Sequence, residues 1–389
     1  MRRLRRDCFY TGCIMKTETL KQISVTRKII LCTVIVYIVI FFALNASKIS
    51  ADNIMRLFYD FDCVVKNRQA AKTVEFEESD DNSFYSFKNG LVTLTSTGVS
   101  VYNEKGYEIS EFPANYTDSV IKTAGDNIFI FTRGGSSVTR TNSFDTELSK
   151  DTGSRIINLS ADKRGYVAVI SDAYGYKGRL TVYNKAFEEL YYWDISSFYP
   201  MYTEFVSSNT VAVVSLSPDK ESCDTVITFV NYTTGEEIAT YTAEDVVPYD
   251  VYKRGDGKTE IFTSGGLYEL SLDKFEKIID NVCVDMSHYA VSDEYFAAAE
   301  YSDKSANSSL VRVYDKNGNE LFSENVENMK ALECNSEYVF VSSGKTVYVF
   351  DNTGNIIFER EEAFYIQNIV AVDGGAYLIG SDCAVRINV

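Results

Sequence analysis

The sequence predicts an all-β protein that folds as a β-propeller, with eight blades favoured and seven the alternative, preceded by one transmembrane helix. Two observations predict the propeller: a short phrase recurs every 36 to 47 residues, and the chain holds 28 Tyr and 24 Phe against four Pro. Repeats of about forty residues made of strands and turns are typical of propeller blades, and aromatic residues favour strands. An uncharged apolar run over residues 29–46 predicts the helix.

The repeated phrase is a strand that ends in Asn or Asp. Its clearest copies lie at residues 99–103, 180–184, 311–315 and 347–351. A Gly usually follows within a few residues, as in the Asn-Gly pair at Asn317, and this pairing favours a hairpin because both residues tolerate positive φ. The eight copies end at Asn103, Asn142, Asn184, Asn231, Asp273, Asp315, Asp351 and Asn388.

Each repeat is interpreted as four strands. The sixth unit has predicted strands at 283–291 (inner), 295–300 (second), 310–314 (third) and 320–324 (outer). The second and fifth units are degenerate copies of the phrase, and the eighth stops after its third strand. Residues 72–77 are therefore predicted to supply the missing outer strand, because an open ring would leave unpaired strand edges at both ends.

The region before the repeats divides into three parts: a basic tail (1–28), the apolar run (29–46) and a stalk (47–72). Residues 1–48 hold nine Lys or Arg and two Asp or Glu, so their net charge is +7, whereas the net charge of the whole chain is −17. Positive charge before the apolar run predicts a cytoplasmic N-terminus and an exported body (73–389), whether translation starts at Met1 or at Met15. An uncleaved anchor is favoured over a signal peptide, because the run is longer than a usual signal core and no A-x-A site follows it.

The stalk is predicted to be helical. Its apolar residues between 54 and 65 recur at helical spacing. This amphipathic helix either docks on the body, which is the favoured interpretation, or rests on the lipid surface.

Charge and cysteine content restrict the function classes. Residues 49–389 carry −24, since −17 minus +7 is −24, and such a charge repels phosphate backbones and argues against nucleic acid as a partner. The exported cysteines show no C-x-x-C pair and are predicted to be mostly small buried hydrophobes, with one bridge between distant repeats left open. They are Cys63, Cys223, Cys283, Cys334 and Cys383.

The phrase V-x-V-[YF]-[DN]-x-x-G-x-x-[IL] resembles the repeat of quinoprotein-like (PQQ-like) propellers. The whole arrangement is similar to an uncharacterised family of bacterial envelope proteins with one N-terminal anchor and an exported propeller. This resemblance covers residues 73–389 and the anchor, and it implies a fold but no active site. Quinoprotein dehydrogenases of that superfamily carry a Trp in most blades, whereas this chain has only Trp193. That departure argues against a bound quinone.

Three patterns that suggest chemistry are better explained as structure. The single histidine, His288, lies in a predicted strand without a G-x-S-x-G partner, which favours a structural role. Gly344-Lys345-Thr346 lacks the earlier Gly and the following helix of a phosphate loop. The segment from Asp315 to Glu320 has alternating oxygen ligands, but position twelve of a calcium loop is Val326.

Carboxylate pairs and aromatic clusters are the remaining leads. The carboxylate pairs, at 77–78, 80–81, 188–189, 236–237 and 361–362, are interpreted as solvated turns and edges. Aromatic residues at 191–193 and 198–202 suit glycan or protein recognition if they are exposed, although packing between blades is the favoured explanation.

These observations predict a non-catalytic binding scaffold, anchored at the outer face of the cell membrane, that recognises a protein or a cell-envelope polymer. The alternative is an envelope enzyme that acts on glycans through carboxylates in the propeller funnel. No catalytic, cofactor-binding or metal-binding residue is predicted, no cofactor is expected, and the binding residues are unassigned.

Overall fold

The computed structural model describes residues 51–65, 73–113, 118–144, 146–218, 222–280, 286–303 and 307–389, together with residues 32, 33, 35, 36 and 40. The chain divides into two compact units, residues 1–62 and 63–389. Most of the predicted anchor, residues 29–46, lies outside the described residues. Within the described part, no helix combines the length and apolarity needed to cross a membrane.

One helix, α1 (Ala51–Val65), occupies part of the predicted stalk. Its apolar face is turned outward: Leu57, Phe58 and Phe61 are 70%, 68% and 69% exposed. On its polar side Asp52 is buried, and its carboxylate lies 3.3 Å from the Arg56 guanidinium. The helix is therefore amphipathic, and its large apolar side chains are exposed.

The second unit is an eight-bladed propeller, so the alternative of seven blades is wrong. Each blade is a four-stranded antiparallel sheet. Blades 1 to 7 follow one another along the chain, four consecutive strands each, and blade 8 combines the last three strands with the first one.

The strand bounds follow the repeats. Blades 1 to 4 contain β2 (Ser83–Phe87), β3 (Gly90–Thr95), β4 (Gly98–Tyr102), β5 (Glu108–Pro113), β6 (Ser119–Ala124), β7 (Asn127–Thr132), β8 (Ser137–Thr141), β9 (Thr146–Asp151), β10 (Ile156–Ala161), β11 (Val167–Ser171), β12 (Gly178–Tyr183), β13 (Glu189–Ile195), β14 (Tyr199–Phe205), β15 (Thr210–Pro218), β16 (Cys223–Asn231) and β17 (Glu236–Ala243). Blades 5 to 8 contain β18 (Pro248–Lys253), β19 (Thr259–Thr263), β20 (Gly266–Ser271), β21 (Lys274–Asp280), β22 (Met286–Val291), β23 (Tyr295–Asp303), β24 (Ser308–Asp315), β25 (Glu320–Glu327), β26 (Met329–Cys334), β27 (Val339–Ser343), β28 (Thr346–Phe350), β29 (Ile356–Glu361), β30 (Asn368–Val372), β31 (Gly375–Ile379), β32 (Cys383–Asn388) and β1 (Thr73–Glu75).

The ring closes with strands from both ends of the propeller sequence. β1 pairs antiparallel with β32, with Val74 opposite Ala384, and the Phe76 N–H donates to the carbonyl of Asp382 at 3.0 Å. The first strands of blades 1 and 8, β2 and β30, are also in contact. The predicted outer strand at 72–77 is confirmed in its central part, because β1 covers Thr73–Glu75.

The recurring Asn or Asp of the phrase organises the turn between the third and fourth strands. In blade 6 the Asp315 carboxylate accepts hydrogen bonds from the backbone N–H groups of Asn317 and Asn319, at 2.8 and 2.9 Å. In blade 3 the Asn184 side-chain oxygen accepts the equivalent pair. Asn and Asp recur because their short acceptors satisfy backbone donors two and four residues ahead. The turn then reverses at Gly318, whose φ is 84°.

The hydrophobic core lies between neighbouring blades. Phe262 of blade 5, for example, packs on Phe296 of blade 6 with ring centroids 5.3 Å apart. One cluster joins Val311 and Val313 of blade 6 to Val339 and Val341 of blade 7. In these interfaces aliphatic and Phe side chains pack neighbouring blades together, a role that tryptophan has in most blades of quinoprotein dehydrogenases.

Candidate functional site

The first strand of every blade ends at the same end of the ring, which we call the cavity face. It carries the turns between first and second strands and between third and fourth strands of the blades. Two cavities of about 340 and 700 Å³ lie there. The smaller is lined by residues of blades 1, 5, 6, 7 and 8, and the larger by residues of blades 2 to 5. Blades 1 and 5 are opposite in an eight-blade ring, so the smaller cavity crosses the mouth of the central channel.

The larger cavity is basic although the protein as a whole is acidic. Five basic side chains line it against two acidic ones, Asp162 and Glu204. Two of the basic groups are arginines held in ion pairs: the Arg254 guanidinium lies 2.8 Å from the Glu260 carboxylate, and Arg164 pairs with Asp162. The remaining three are Lys122, Lys163 and Lys253.

The three lysines have no carboxylate within ion-pair distance among the described residues. Lys253 donates to the backbone carbonyl of Phe205. The charges of Lys253 and Lys122 act on Glu204, and its carboxyl accepts the N–H of Phe205 at 3.0 Å. Burial nevertheless raises the pKa of Glu204 to about 7, the two lysines opposing that rise. Near neutral pH, Glu204 therefore cancels only part of the lysine charge.

Two buried donors in the wall of this cavity lack partners. The Ser160 side chain is 3% exposed, and its hydroxyl has no hydrogen-bond partner among the described residues. The Nε of Arg254 is in the same situation, although its two terminal nitrogens are engaged. Unsatisfied buried donors are uncommon in native proteins and call for an explanation such as a ligand or an ordered water.

The smaller cavity is lined by acidic groups and no basic side chain: Asp293, Glu333 and Asp373. Burial raises the pKa of Glu333 to about 8, with only the Cys334 N–H opposing the rise. Glu333 is therefore protonated at neutral pH. Burial and the charge of Asp293 raise the pKa of Tyr252, whose hydroxyl lies 3.4 Å from the Asp293 carboxylate.

The sequence analysis did not predict that these residues line cavities, although the sequence contains a weak pattern that marks them. Ser160, Glu204, Tyr252 and Glu333 are the penultimate residues of β10, β14, β18 and β26. Each is a polar residue one position before the end of the first strand of its blade. Only the closed ring brings them to one mouth.

The opposite end of the ring, which we call the tyrosine face, carries the hairpins between second and third strands and the links between blades. Seven tyrosines among the described residues are at least 36% exposed, and six of them lie at this face. They are Tyr174, Tyr176, Tyr199, Tyr249, Tyr301 and Tyr365. The seventh, Tyr192, lies in the outer strand β13.

The two aromatic clusters predicted from the sequence are divided between this surface and the core. Tyr192 and Tyr199 are exposed. Tyr191 and Trp193 pack against the core between blades 3 and 4, and Tyr202 packs between blades 4 and 5. The most exposed tyrosines, Tyr174 and Tyr365, were not singled out from the sequence.

The other sequence leads lie in structural positions. His288 lies in β22, and burial lowers its pKa. The Gly344-Lys345 pair forms the hairpin between β27 and β28. Of the carboxylate pairs, all members are exposed except Glu362, which is half-buried. No cluster of His, Cys, Asp or Glu that suits a metal ion occurs in the described ranges. Cys63, Cys223, Cys334 and Cys383 are free thiols.

Comparisons with known proteins identify the fold and a family. The model of a family of unknown function, DUF5711, matches residues 63–386. No curated protein matches the sequence. The chain is similar to BamB from Moraxella catarrhalis, with 14% identity, a TM-score of 0.54, and 82% of this chain and 97% of that chain covered. Saccharomyces cerevisiae Sqt1 gives 12% identity and a TM-score of 0.57, with 82% and 100% covered.

A quinohemoprotein alcohol dehydrogenase from Comamonas testosteroni gives 10% identity and a TM-score of 0.52, with 81% and 73% covered. The similarity to quinoprotein propellers inferred from the repeat is therefore confirmed at the level of the fold. At these identities the likeness extends to the fold alone.

Proposed function

We infer that this chain, which belongs to the family of unknown function DUF5711, is a membrane-anchored, non-catalytic scaffold that binds a protein through its tyrosine face. The observation that carries this proposal is the placement of six of the seven exposed tyrosines at one end of the ring. Tyrosine supplies a large contact area with a polar tip at low cost in conformational entropy, and it is enriched in protein interfaces.

Several of these tyrosines are held in place before any partner arrives. The Lys177 ammonium lies 4.5 Å from the ring centroid of Tyr199, and that of Lys345 lies 5.2 Å from Tyr365. Tyr249 packs on Phe262, with centroids 5.5 Å apart. Rings fixed in this way lose little freedom on binding, which favours affinity.

The six tyrosines extend over blades 3 to 6 and the link before blade 8. Such a spread fits a partner that covers a broad face, as a folded protein does. A small ligand would need a concave pocket lined by convergent groups instead.

Membrane anchoring is the second part of the proposal. The apolar run at 29–46 ends five residues before α1 begins at Ala51. The exposed apolar residues of α1 suit the interface of the same bilayer, because a large apolar patch facing water is unfavourable. Positive charge before the run favours a cytoplasmic N-terminus and a propeller at the outer face of the cell membrane.

An accessibility experiment tests this topology. The variant Tyr174→Cys places a thiol at a fully exposed site of the propeller, whereas Cys8 and Cys13 lie in the predicted cytoplasmic tail. In intact spheroplasts, an impermeant maleimide should label the variant more strongly than the parent chain. Cys8 and Cys13 should react only after lysis. Labelling of the new cysteine only after lysis would contradict export.

Binding is tested by quantitative co-purification of the full chain from detergent-solubilised membranes. The double variant Tyr174→Ser with Tyr176→Ser removes two rings of the tyrosine face. The matched control, Ile356→Ser with Ile357→Ser, removes exposed apolar area from the outer strand β29. A specific partner should be depleted at least about tenfold by the tyrosine variant alone. Equal recovery with all three chains would refute binding at this face.

A glycan-active envelope enzyme is the second candidate, and the raised pKa values of Glu204 and Glu333 favour it. A carboxyl that keeps its proton near neutral pH is suited to act as a general acid. The two carboxyls line different cavities, however, whereas a glycosidase needs two carboxyls on either side of one sugar bond. Release of reducing ends from cell-wall glycans that is abolished by Glu204→Gln or Glu333→Gln would favour this candidate over the scaffold.

A further inference from the structure

We propose that the larger cavity of the cavity face binds a phosphate-bearing small molecule, with Lys122 and Lys253 contacting the phosphate oxygens and Ser160 donating a hydrogen bond. This site is separate from the tyrosine face and does not depend on the function proposed above. A volume of about 700 Å³ is within the range of small-molecule sites. It exceeds the volume of a bare phosphate, so it leaves room for the group that carries the phosphate.

The charge of the wall selects an anion. After the two arginine pairs are set aside, three lysines face one carboxyl, Glu204. The Lys122 and Lys253 ammonium groups come from blades 2 and 5, on either side of Glu204 in blade 4. Ammonium groups bind phosphate as compact point charges. A protein with a net charge of −17 that gathers unpaired lysines in one cavity has a local reason to do so.

The unsatisfied donors give an independent indication of the ligand. The hydroxyl of Ser160 and the Nε of Arg254 are buried, lack partners among the described residues, and belong to residues that line this cavity. The Arg254 Nε–H can only donate and the Ser160 hydroxyl can donate, so an acceptor would satisfy both. A phosphoryl oxygen would satisfy a donor of this kind and would also be attracted by the lysines, whereas a cationic or neutral apolar ligand would do neither.

Phosphate fits this set of groups better than a single carboxylate. A phosphomonoester carries between one and two negative charges near neutral pH and has three acceptor oxygens. These match several lysines and two donors, while a carboxylate has only two oxygens and one charge.

Binding should couple to protonation of Glu204. The charged groups that act on this carboxyl are Lys253 and Asp250 from β18 and Lys122 from β6, and the neighbouring strand β10 contains no charged residue. A phosphate beside Glu204 disfavours its ionised form. Ionisation of Glu204 between pH 6 and pH 8 should therefore weaken binding, while the second ionisation of the phosphate, with a pKa of about 6, strengthens it. A comparison of the parent chain with Glu204→Gln at the same pH isolates the contribution of Glu204.

Isothermal titration of the full chain in detergent tests the proposal, with glycerol 3-phosphate, inorganic phosphate and glycerol as probes. The two phosphate compounds should bind and glycerol should not. Tighter binding of the ester would show that the cavity also holds the substituent, and equal binding would identify free phosphate as the ligand. Both results support the site.

Lysine variants distinguish specific binding in the cavity from non-specific attraction to positive charge on the surface. Lys122→Gln and Lys253→Gln should each weaken phosphate binding about tenfold or more. Lys277→Gln, which alters an exposed lysine in the outer strand β21, should not change it. Glu204→Gln should bind phosphate as the parent chain does at pH 6 and more tightly than the parent chain at pH 8, where the parent's Glu204 is charged, and its melting temperature reports whether it is folded.

Two results would overturn the proposal. One is the absence of heat with either phosphate compound at millimolar concentration and pH 6. The other is a dissociation constant that Lys122→Gln and Lys253→Gln leave unchanged. The tyrosine-face variant Tyr174→Ser with Tyr176→Ser should bind phosphate normally, so the failure of either site would be distinguishable from the failure of the other.

Discussion

Removal of β1 should open the propeller. A chain that starts at Ala70 keeps this strand, and a chain that starts at Asn82 lacks it. In the longer chain Val74 is 4% exposed between blades 8 and 1, and Phe76 packs on Phe84 with ring centroids 4.8 Å apart. Deletion also exposes one edge of β32 and frees the Asp382 carbonyl.

The cost is the sum of several ordinary terms. Burial of a Val side chain stabilises by roughly 1.5–3 kcal/mol, and an aromatic pair adds about 0.5–1.5 kcal/mol. The lost backbone hydrogen bonds contribute about 1 kcal/mol each. The sum is roughly 5 kcal/mol, comparable with the lower end of the whole stability of a domain, about 5–15 kcal/mol.

Equilibrium urea unfolding of the two chains, followed by intrinsic fluorescence, measures this difference directly. The shorter chain should have a much lower unfolding midpoint or be recovered insoluble, because its open edge can pair with another molecule. A control chain that starts at Ala70 and carries Glu75→Gln, an exposed position of β1, should match the unaltered longer chain. Equal midpoints for the chains starting at Ala70 and at Asn82 would refute closure by β1.

Three further predictions concern single groups. Hydrogen bonds from the Thr353 hydroxyl and from backbone N–H groups hold the pKa of Asp351 at about 2. The ionised Asp351 should therefore stabilise the fold above about pH 4, and this stabilisation should be lost as the pH falls toward 2. Asp351→Ala should therefore lower the melting temperature at pH 7, while Asp351→Asn, the residue of several other repeats, should retain it and flatten the acid limb. The pKa of Glu333 is about 8 in the folded chain and near 4 in the unfolded chain. Because the folded state binds more protons, the unfolding free energy should fall as the pH rises from about 4 to 8. Urea titrations at a series of pH values should show this slope in the parent chain and not in Glu333→Gln. Arg254 and Glu260 are both 3% exposed, and a buried charge without its partner is unfavourable, so Arg254→Met should lower the unfolding free energy by about 3–5 kcal/mol. The addition of Glu260→Leu should recover most of this loss, because it removes the unpaired charge. A double variant as unstable as the single one would contradict this explanation.

The blade architecture could be predicted because its determinants are local. Asn184 and Asp315 accept hydrogen bonds from donors two and four residues ahead, so the same residue type recurs wherever the turn does. Gly318 adopts a positive φ that other residues avoid. The closing strand could be predicted as well, because a three-stranded final unit leaves an edge that must be covered.

The cavity could not be predicted because its residues are distant in sequence. Lys122, Glu204 and Lys253 come from three different blades, and only the ring geometry brings them to one cavity. Their local signal is a charged residue near the end of the first strand of a blade, which many solvent-exposed strands also show. The raised pKa of Glu204 arises from burial, which a sequence does not reveal.

The exposed aromatic residues were predicted only in part. Tyrosines at 191–193 and 198–202 alternate between the surface and the core, because successive residues of a strand point to opposite faces. Tyr192 is exposed, whereas its neighbours Tyr191 and Trp193 pack between blades. The two most exposed tyrosines, Tyr174 and Tyr365, lie in a hairpin and a link outside those clusters.

Photo-crosslinking in living cells tests the central claim most directly. A photoreactive phenylalanine analogue replaces Tyr174 or Tyr365 at the tyrosine face, or Ile238 or Leu321 in outer strands, all of which are at least 36% exposed. Binding through the tyrosine face predicts the same discrete adduct at the first two positions and none at the other two. Adducts of equal yield at all four positions, or at the outer strands alone, would contradict it.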